Sequence, residues 1–395
     1  MVKKIAEILI ICIFIAAMIT ASVFTILDRD KKTSYYENRS FATMPEFKKD
    51  ALMNGSYFSQ LESFLTDHAG GRKKMLELKT EADLDLFQRP MVNDVVVQDD
   101  LLLSYCEFDK LNPADLPERI AEITPNLQAV ADSVKAYGGY YCYVAVPPQF
   151  YCYADRYPWY MDNWKDYADT EVALLSKSLA EAGVDVLDMG PIFKESGTLQ
   201  KESSRVDDHY SIYGAFRTYK AIMRKLNQIS GQDMDVLSDN DVVITKVPNA
   251  YLGAYERKLL GLKSINESLY RLDLVEPVEF TSTVNGIEQP YPAVYHSSAK
   301  KSKRVTYQYY MGGDLPVAII DTHRPELPSI LIYGDSFTDA LECILYNSFD
   351  KMYTLDMRYY TDSTVSEFTK KYGPEYVICV RDYESLTSAE ANGGR

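Results

Sequence analysis

The chain reads as an α/β protein built on a parallel sheet, carrying a β-rich insertion and preceded by an apolar amino-terminal helix. Three observations predict this. Short apolar runs alternate with amphipathic stretches from residue 92 to the end, the alternation lapses between about 239 and 304, and an almost charge-free run covers residues 8–27.

Taken in order, Lys3 and Lys4 precede that run, which is long enough to cross a bilayer as a helix. It is longer than a signal-peptide core and offers a poor cleavage site at 21–24. It therefore reads as an uncleaved signal-anchor, with residues 1–7 cytoplasmic and the body of the protein outside the cell. Residues 28–90 form a polar, helix-leaning juxtamembrane segment, with apolar residues at helical spacing over 57–65.

The main domain occupies 91–395. Its pattern predicts a strand at 95–97, a helix at 117–137, a strand at 140–146 closed by Pro147-Pro148, a helix at 170–182, a strand at 184–187 and a helix at 212–230. After the insertion at about 239–304 come a strand at 330–333, a helix at 337–346, a strand at 352–356, a helix at 364–372 and a last strand at 376–380.

Composition narrows the partners. The formal net charge of −15 repels phosphate and argues against nucleic acid. The 32 tyrosines suit sugar binding, but a run such as Tyr140-Tyr141-Cys142-Tyr143 is also the pattern of a packed strand. Of six cysteines, Cys12 lies in the apolar run, and the odd five that remain, Cys106, Cys142, Cys152, Cys343 and Cys379, cannot all pair. Cys142 and Cys379 fall in strands and Cys343 in a helix, where a thiol acts as a small buried hydrophobe; a Cys142–Cys152 bridge stays open. No Cys/His cluster has ligand spacing, so neither a metal nor a cofactor is expected.

The chemistry centres on Gly334-Asp335-Ser336-Phe337, which follows a short apolar strand and precedes a helical pattern, so that Ser336 arrives at the carboxyl end of a buried strand. Of the four histidines, His68, His209, His296 and His323, only His209 combines a carboxylate two residues before it with a helix opening directly behind it. Asp207, His209 and Ser336 are the three groups a serine nucleophile requires. The Ser336 N–H is a candidate oxyanion donor, with Gly312 or Gly313 as a second; those glycines serve a hairpin turn equally well. Arg358 suits either a pocket rim or a salt bridge, and Tyr210 either a sugar or the packing under the helix.

These motifs, in their order, resemble the DHHW family of bacterial cell-surface proteins, which is similar to the SGNH-hydrolase-like proteins that O-acetylate alginate. The resemblance rests on Glu37-Asn38-Arg39-Ser40-Phe41-Ala42, Asp67-His68 with Arg72, Asp207-Asp208-His209-Tyr210, Tyr310-Met311-Gly312-Gly313-Asp314, Gly334-Asp335-Ser336-Phe337 and Leu355-Asp356-Met357-Arg358-Tyr359-Tyr360. It implies an SGNH-hydrolase-like, flavodoxin-like sheet and an Asp207, His209, Ser336 triad. It also implies an extracytoplasmic O-acetyltransferase acting on a cell-envelope or secreted polysaccharide, with a multi-spanning membrane acyltransferase as acetyl donor. An esterase, or a non-catalytic glycan-binding or assembly protein on the same scaffold, stays open. The family motif Asp-His-His-Trp is kept only in part: Asp208 replaces the first histidine and Tyr210 the tryptophan.

Overall fold

The computed structural model describes residues 2–28, 32–37, 39–105, 112–296, 303–388 and 392. Cys106 and Asn38 lie outside this set. The chain divides into two compact units, Met1–Val97 with Glu256–Ser264, and Gln98–Tyr255 with Ile265–Arg395.

In the first unit a single helix runs over Val2–Asp28, about 40 Å at 1.5 Å per residue. Ile8, Leu9, Ile10, Ile11, Ile13, Phe14 and Ile15 are all exposed on it. Among the described residues no helix is long and apolar enough to cross a membrane. The span expected over 8–27 includes positions whose side chains fall outside the described set. Helices Ser56–Asp67 and Arg72–Glu81 follow, agreeing with the helical spacing over 57–65. Two ion pairs tie this unit together: Arg39 donates to both oxygens of the buried Asp67 carboxylate (2.8 and 2.5 Å), and Arg72 to both of Glu37 (2.7 and 2.8 Å).

The second unit is built on one eight-stranded sheet. Its strands in chain order are β1 (Tyr140–Val146), β2 (Asp185–Asp188), β3 (Thr281–Val284), β4 (Ile287–Glu288), β5 (Val317–Asp321), β6 (Ile330–Gly334), β7 (Lys351–Asp356) and β8 (Tyr376–Asp382). They lie in the order β4-β3-β5-β7-β6-β8-β1-β2. The five from β7 to β2 are parallel, whereas β5, β3 and β4 pair antiparallel at one edge. The all-parallel expectation is thereby corrected to a mixed sheet. Burial explains the division: β6 and β8 are buried throughout, as parallel strands covered on both faces must be, while β5 alternates half-buried and buried residues. The turn joining β3 to β4 is Asn285-Gly286, both at positive φ (49° and 76°), the two-residue loop that matches strand twist. Thus β3 and β4, from the expected insertion, join the main sheet, while Val242–Lys246 and Tyr270–Leu274 form a separate antiparallel pair.

Helices cover both faces. Leu116–Lys135 (α1) and Lys165–Glu181 (α2) share one apolar layer with Tyr141, Tyr143, Leu331, Tyr333, Val377 and Cys379. Ile212–Ser230 (α3) packs on β1 and on Asp339–Leu345 (α4), and Val365–Tyr372 (α5) packs on α1. Local signals set the ends. Ser211 caps α3, Gly231 ends it at φ 69°, and Thr364 with Glu367 forms a capping box on α5. Many of the tyrosines serve this core: the hydroxyls of Tyr141 and Tyr333 bond one another at 2.8 Å inside it. Among the described residues there is no disulfide, and Cys142, Cys152, Cys343 and Cys379 are buried, so the open Cys142–Cys152 bridge is not formed.

Candidate active site

The register sets the site at one edge of the sheet. Gly334 pairs with Asp356 on one side and with Val380 on the other, and Asp382 pairs with Val146, so the carboxyl ends of β1, β6, β7 and β8 finish together. Glycine is required at 334 because a Cβ there would stand 2.1 Å from the Val380 carbonyl oxygen. Beyond it the Asp335 carboxylate accepts the Phe337 N–H (2.9 Å), turning the chain sharply into the 3-10 turn Ser336–Thr338 and then α4. Ser336 opens that turn. Its backbone N–H is one of those a helical start leaves without an intrahelical acceptor.

His209 reaches the same edge from the segment before α3. Ser203 pairs with Tyr210 in an isolated antiparallel bridge, and Ser204 N–H donates to the His209 carbonyl (3.2 Å). The Tyr210 hydroxyl donates to the Phe337 carbonyl, joining this segment to the serine turn. The imidazole then stands with Nε2 2.8 Å from Ser336 Oγ and Nδ1 2.6 Å from Asp207 Oδ1. Asp207 Oδ2 accepts the Ala254 N–H at 2.7 Å. That bond depends on a second close approach, since a Cβ on Gly253 would lie 2.2 Å from the Val206 carbonyl oxygen. The three residues expected to form a triad are therefore in continuous hydrogen-bonding contact.

The neighbouring carboxylates stabilise the imidazolium that His209 becomes on accepting a proton at Nε2. Burial disfavours it, yet the carboxylates of Asp208 and Asp207 outweigh burial and raise His209 well above its ordinary value. Burial, with Asp208 beside it, pushes Asp207 upward. Asp208 lies below the usual carboxylate range because the imidazole beside it overcomes the effect of burial. Asp207, Asp208 and His209 are also the one group of His, Cys, Asp and Glu among the described residues whose donor atoms lie close enough together, within 4.8 Å, to hold a metal ion. An ion there would have to break the 2.6 Å Asp207–His209 bond, so the donor set fits a proton relay better than a metal centre.

A cavity of about 220 Å³ opens beside Ser336, lined by Asp208, Asp335, Arg358, Arg381, Asp382 and Ser385 among others. Arg358 is on the rim as expected and is also ion-paired, gripping both oxygens of Asp356 (3.0 and 2.6 Å) and reaching Asp314 (2.8 Å). Gly312 and Gly313 do not line this cavity. They sit at φ 87° and 97° in the turn before Asp314, against His296 and Gln308. Tyr210 is only 1% exposed and contributes through its bond to Phe337 rather than by facing the cavity.

Sequence reading missed Arg381, Asp382 and Ser385. Arg381 is buried and pairs with Asp335 at 3.1 Å, and the Ser385 hydroxyl lies between the carboxylates of Asp335 (3.1 Å) and Asp382 (2.7 Å), with one proton to donate. Asp335 is thereby committed to holding the turn. Burial, with Asp335 beside it, pushes Asp382 up to about 7. The signal available was charged residues directly after the wholly apolar run Val377 to Val380, at the carboxyl end of a strand where ligands bind in such sheets.

Residues 105–288 match the family model described as SGNH hydrolase-like domain, acetyltransferase AlgX. The match includes Asp207 and His209 and stops short of Ser336, which the fold brings to them. Bacillus cereus PatB1 is similar in structure, with a TM-score of 0.64 and 19% identity over 74% of this chain and 96% of that one. PatB1 with a sulfonyl adduct gives 0.62 and 17%, over 74% and 95%. A DHHW family protein from Eubacterium siraeum gives 0.55 and 18%, over 77% and 95%. At these identities the structural likeness speaks for the fold. No match was found among curated proteins. Fold and family model together define an SGNH-hydrolase-like α/β domain with a mixed sheet. The resemblance to the DHHW and alginate O-acetylation proteins is borne out.

Proposed function

We propose that this chain is an extracytoplasmic serine O-acetyltransferase that takes an acetyl group onto Ser336 and passes it to a hydroxyl of a cell-envelope or secreted polysaccharide. The observation that carries the reading is the unbroken relay from Asp207 through His209 to Ser336, 2.6 and 2.8 Å, at the edge of an acetyltransferase-type domain.

Ser336 Oγ attacks the acetyl carbonyl carbon while its proton passes to His209 Nε2. The imidazolium, held by Asp207, then returns that proton to the departing group. The oxyanion draws on the Ser336 N–H. In the second half His209 takes the proton of the acceptor hydroxyl, whose oxygen attacks the acetyl-serine, and Ser336 recovers the proton as it leaves. An acetyl-serine open to water would instead release acetate, which is the esterase outcome.

The donor is assigned to a multi-spanning membrane acyltransferase, because acetyl groups activated in the cytosol must be relayed outward. An anchor with the amino terminus inside belongs to this reading through the sequence alone, in which Lys3 and Lys4 precede the apolar run 8–27. Mass spectrometry tests the central step. Incubation with a small activated acetyl ester should add one acetyl group to the Ser336 peptide, and an envelope glycan should speed its loss and gain it. Acetyl release as free acetate at a rate no glycan alters would replace the transferase by an esterase. Absence of any acyl-enzyme would remove catalysis and leave a binding protein.

A further inference from the structure

We propose that Asp208 is a second orienting carboxylate for His209, placed to take over the Nδ1 proton when Asp207 is lost, so that this chain steadies its base with two acids. The inference rests on the proton-relay reading above and adds a positioning residue to it.

The geometry is asymmetric. Asp207 Oδ1 lies 2.6 Å from Nδ1 and Asp208 Oδ1 lies 3.2 Å from the same atom. Asp207 keeps 3% of its side chain exposed, whereas Asp208 keeps 41% and lines the cavity beside Ser336. The Gln149 N–H donates to the Asp208 carbonyl at 3.0 Å, fixing the backbone from which the carboxylate projects. Asp207 is the rigid partner, with its second oxygen held by Ala254, and Asp208 is the one with room to move.

The remaining surroundings leave the imidazolium to these two. Tyr307 lies on the ring, Phe337 is beside it and Ser336 is at Nε2. Asp339, at the head of α4, feels the charge of His209, and Tyr251 and Glu267 feel that of Asp207. Every ionisable group in that list is an acid, a phenol or the nucleophile itself. An opposite charge this close ordinarily moves a titration by one to three pH units, so removing Asp208 should be visible on the ring directly.

The test follows the His209 ring by NMR in protein labelled at histidine, with its signal assigned by its loss in His209→Ala. Wild type is compared with Asp208→Asn, Asp208→Glu, Asp207→Asn and the double asparagine variant, alongside turnover of a small activated acetyl ester, all at matched thermal midpoints. Asp208→Asn should lower the ring midpoint by about one unit or more, and Asp208→Glu should restore it. Asp207→Asn should cost far less than the roughly 10⁴-fold that loss of a sole orienting acid costs, and adding Asp208→Asn should bring the loss to that size. An unmoved midpoint in Asp208→Asn, or a double variant no slower than Asp207→Asn, overturns the proposal. Should wild type turn over no ester while the midpoint still moves, Asp208 keeps its role and the acyl-transfer reading fails.

Discussion

The imidazole of His209 lies flat on the ring of Tyr307, with centroids 3.8 Å apart and planes 13° from parallel. Tyr307 belongs to the 3-10 turn Tyr307–Tyr309, so a residue almost a hundred positions away sets the plane in which the imidazole faces Ser336. Its hydroxyl is buried and has no hydrogen-bond partner among the described residues.

Tyr307→Phe should therefore keep full turnover of an activated acetyl ester. It should raise stability by up to about 1 kcal/mol, because a buried hydroxyl without a partner is a cost. Tyr307→Leu should lose about tenfold or more in turnover while remaining folded, since the platform that orients the ring is gone. An inactive Tyr307→Phe would show that the hydroxyl has a chemical role and that stacking is not the reason for this residue.

Ser336→Ala and His209→Ala should each abolish ester turnover at unchanged thermal midpoint. The double variant should be little worse than either, because members of a relay act as a unit. Steady-state kinetics with matched protein concentrations decide this. Wild-type rates in Ser336→Ala would remove the nucleophile assignment.

Gly334→Ala tests how tightly the strand ends are packed. The added methyl would meet the Val380 carbonyl at 2.1 Å, and neither β6 nor β8 can yield without breaking the ladder between them. A loss of about 1–3 kcal/mol is expected by denaturant unfolding, with turnover reduced as the Ser336 turn shifts. A variant as stable and as active as wild type would mean that the strand ends are looser than this register implies.

The first unit should be acid-sensitive in a defined window. Bonds from Arg72 hold Glu37 down from 4.5 to about 2, and bonds from Arg39 hold Asp67 down from 3.8 to about 2. A folded-state value below the unfolded one means that the stabilisation is fully present above the unfolded value and disappears as pH falls through the folded one. The Ala42 amide, which bonds Asp67 at 2.8 Å, reports on this. Its hydrogen-exchange protection should be flat from pH 7 to about 5 and fall between about 4 and 2. Protection lost already above pH 5, or still intact at pH 2, would contradict the ion pairs as its source.

Much of this protein was determined by its sequence alone. The apolar runs placed the strands at 140–146 and 330–333 within a residue of where they lie, and the helical pattern placed the helix at 212–230 where it is found. That Asp207, His209 and Ser336 could come together was readable too, because residue types able to form such a relay are chemically few and this chain has only four histidines. The tertiary structure decided what depends on neighbours distant in the chain. It turned three strands at one edge antiparallel, drew Arg381 onto Asp335, moved Gly312 and Gly313 away from the cavity and buried Tyr210. It also set Asp208 beside the imidazole at 3.2 Å. The division has a physical cause: periodicity, caps and turn residues act over a few positions and are written locally. Strand order and the convergence of charges come from burying the largest apolar area with every buried charge paired, a condition on the whole fold that no local stretch of sequence carries.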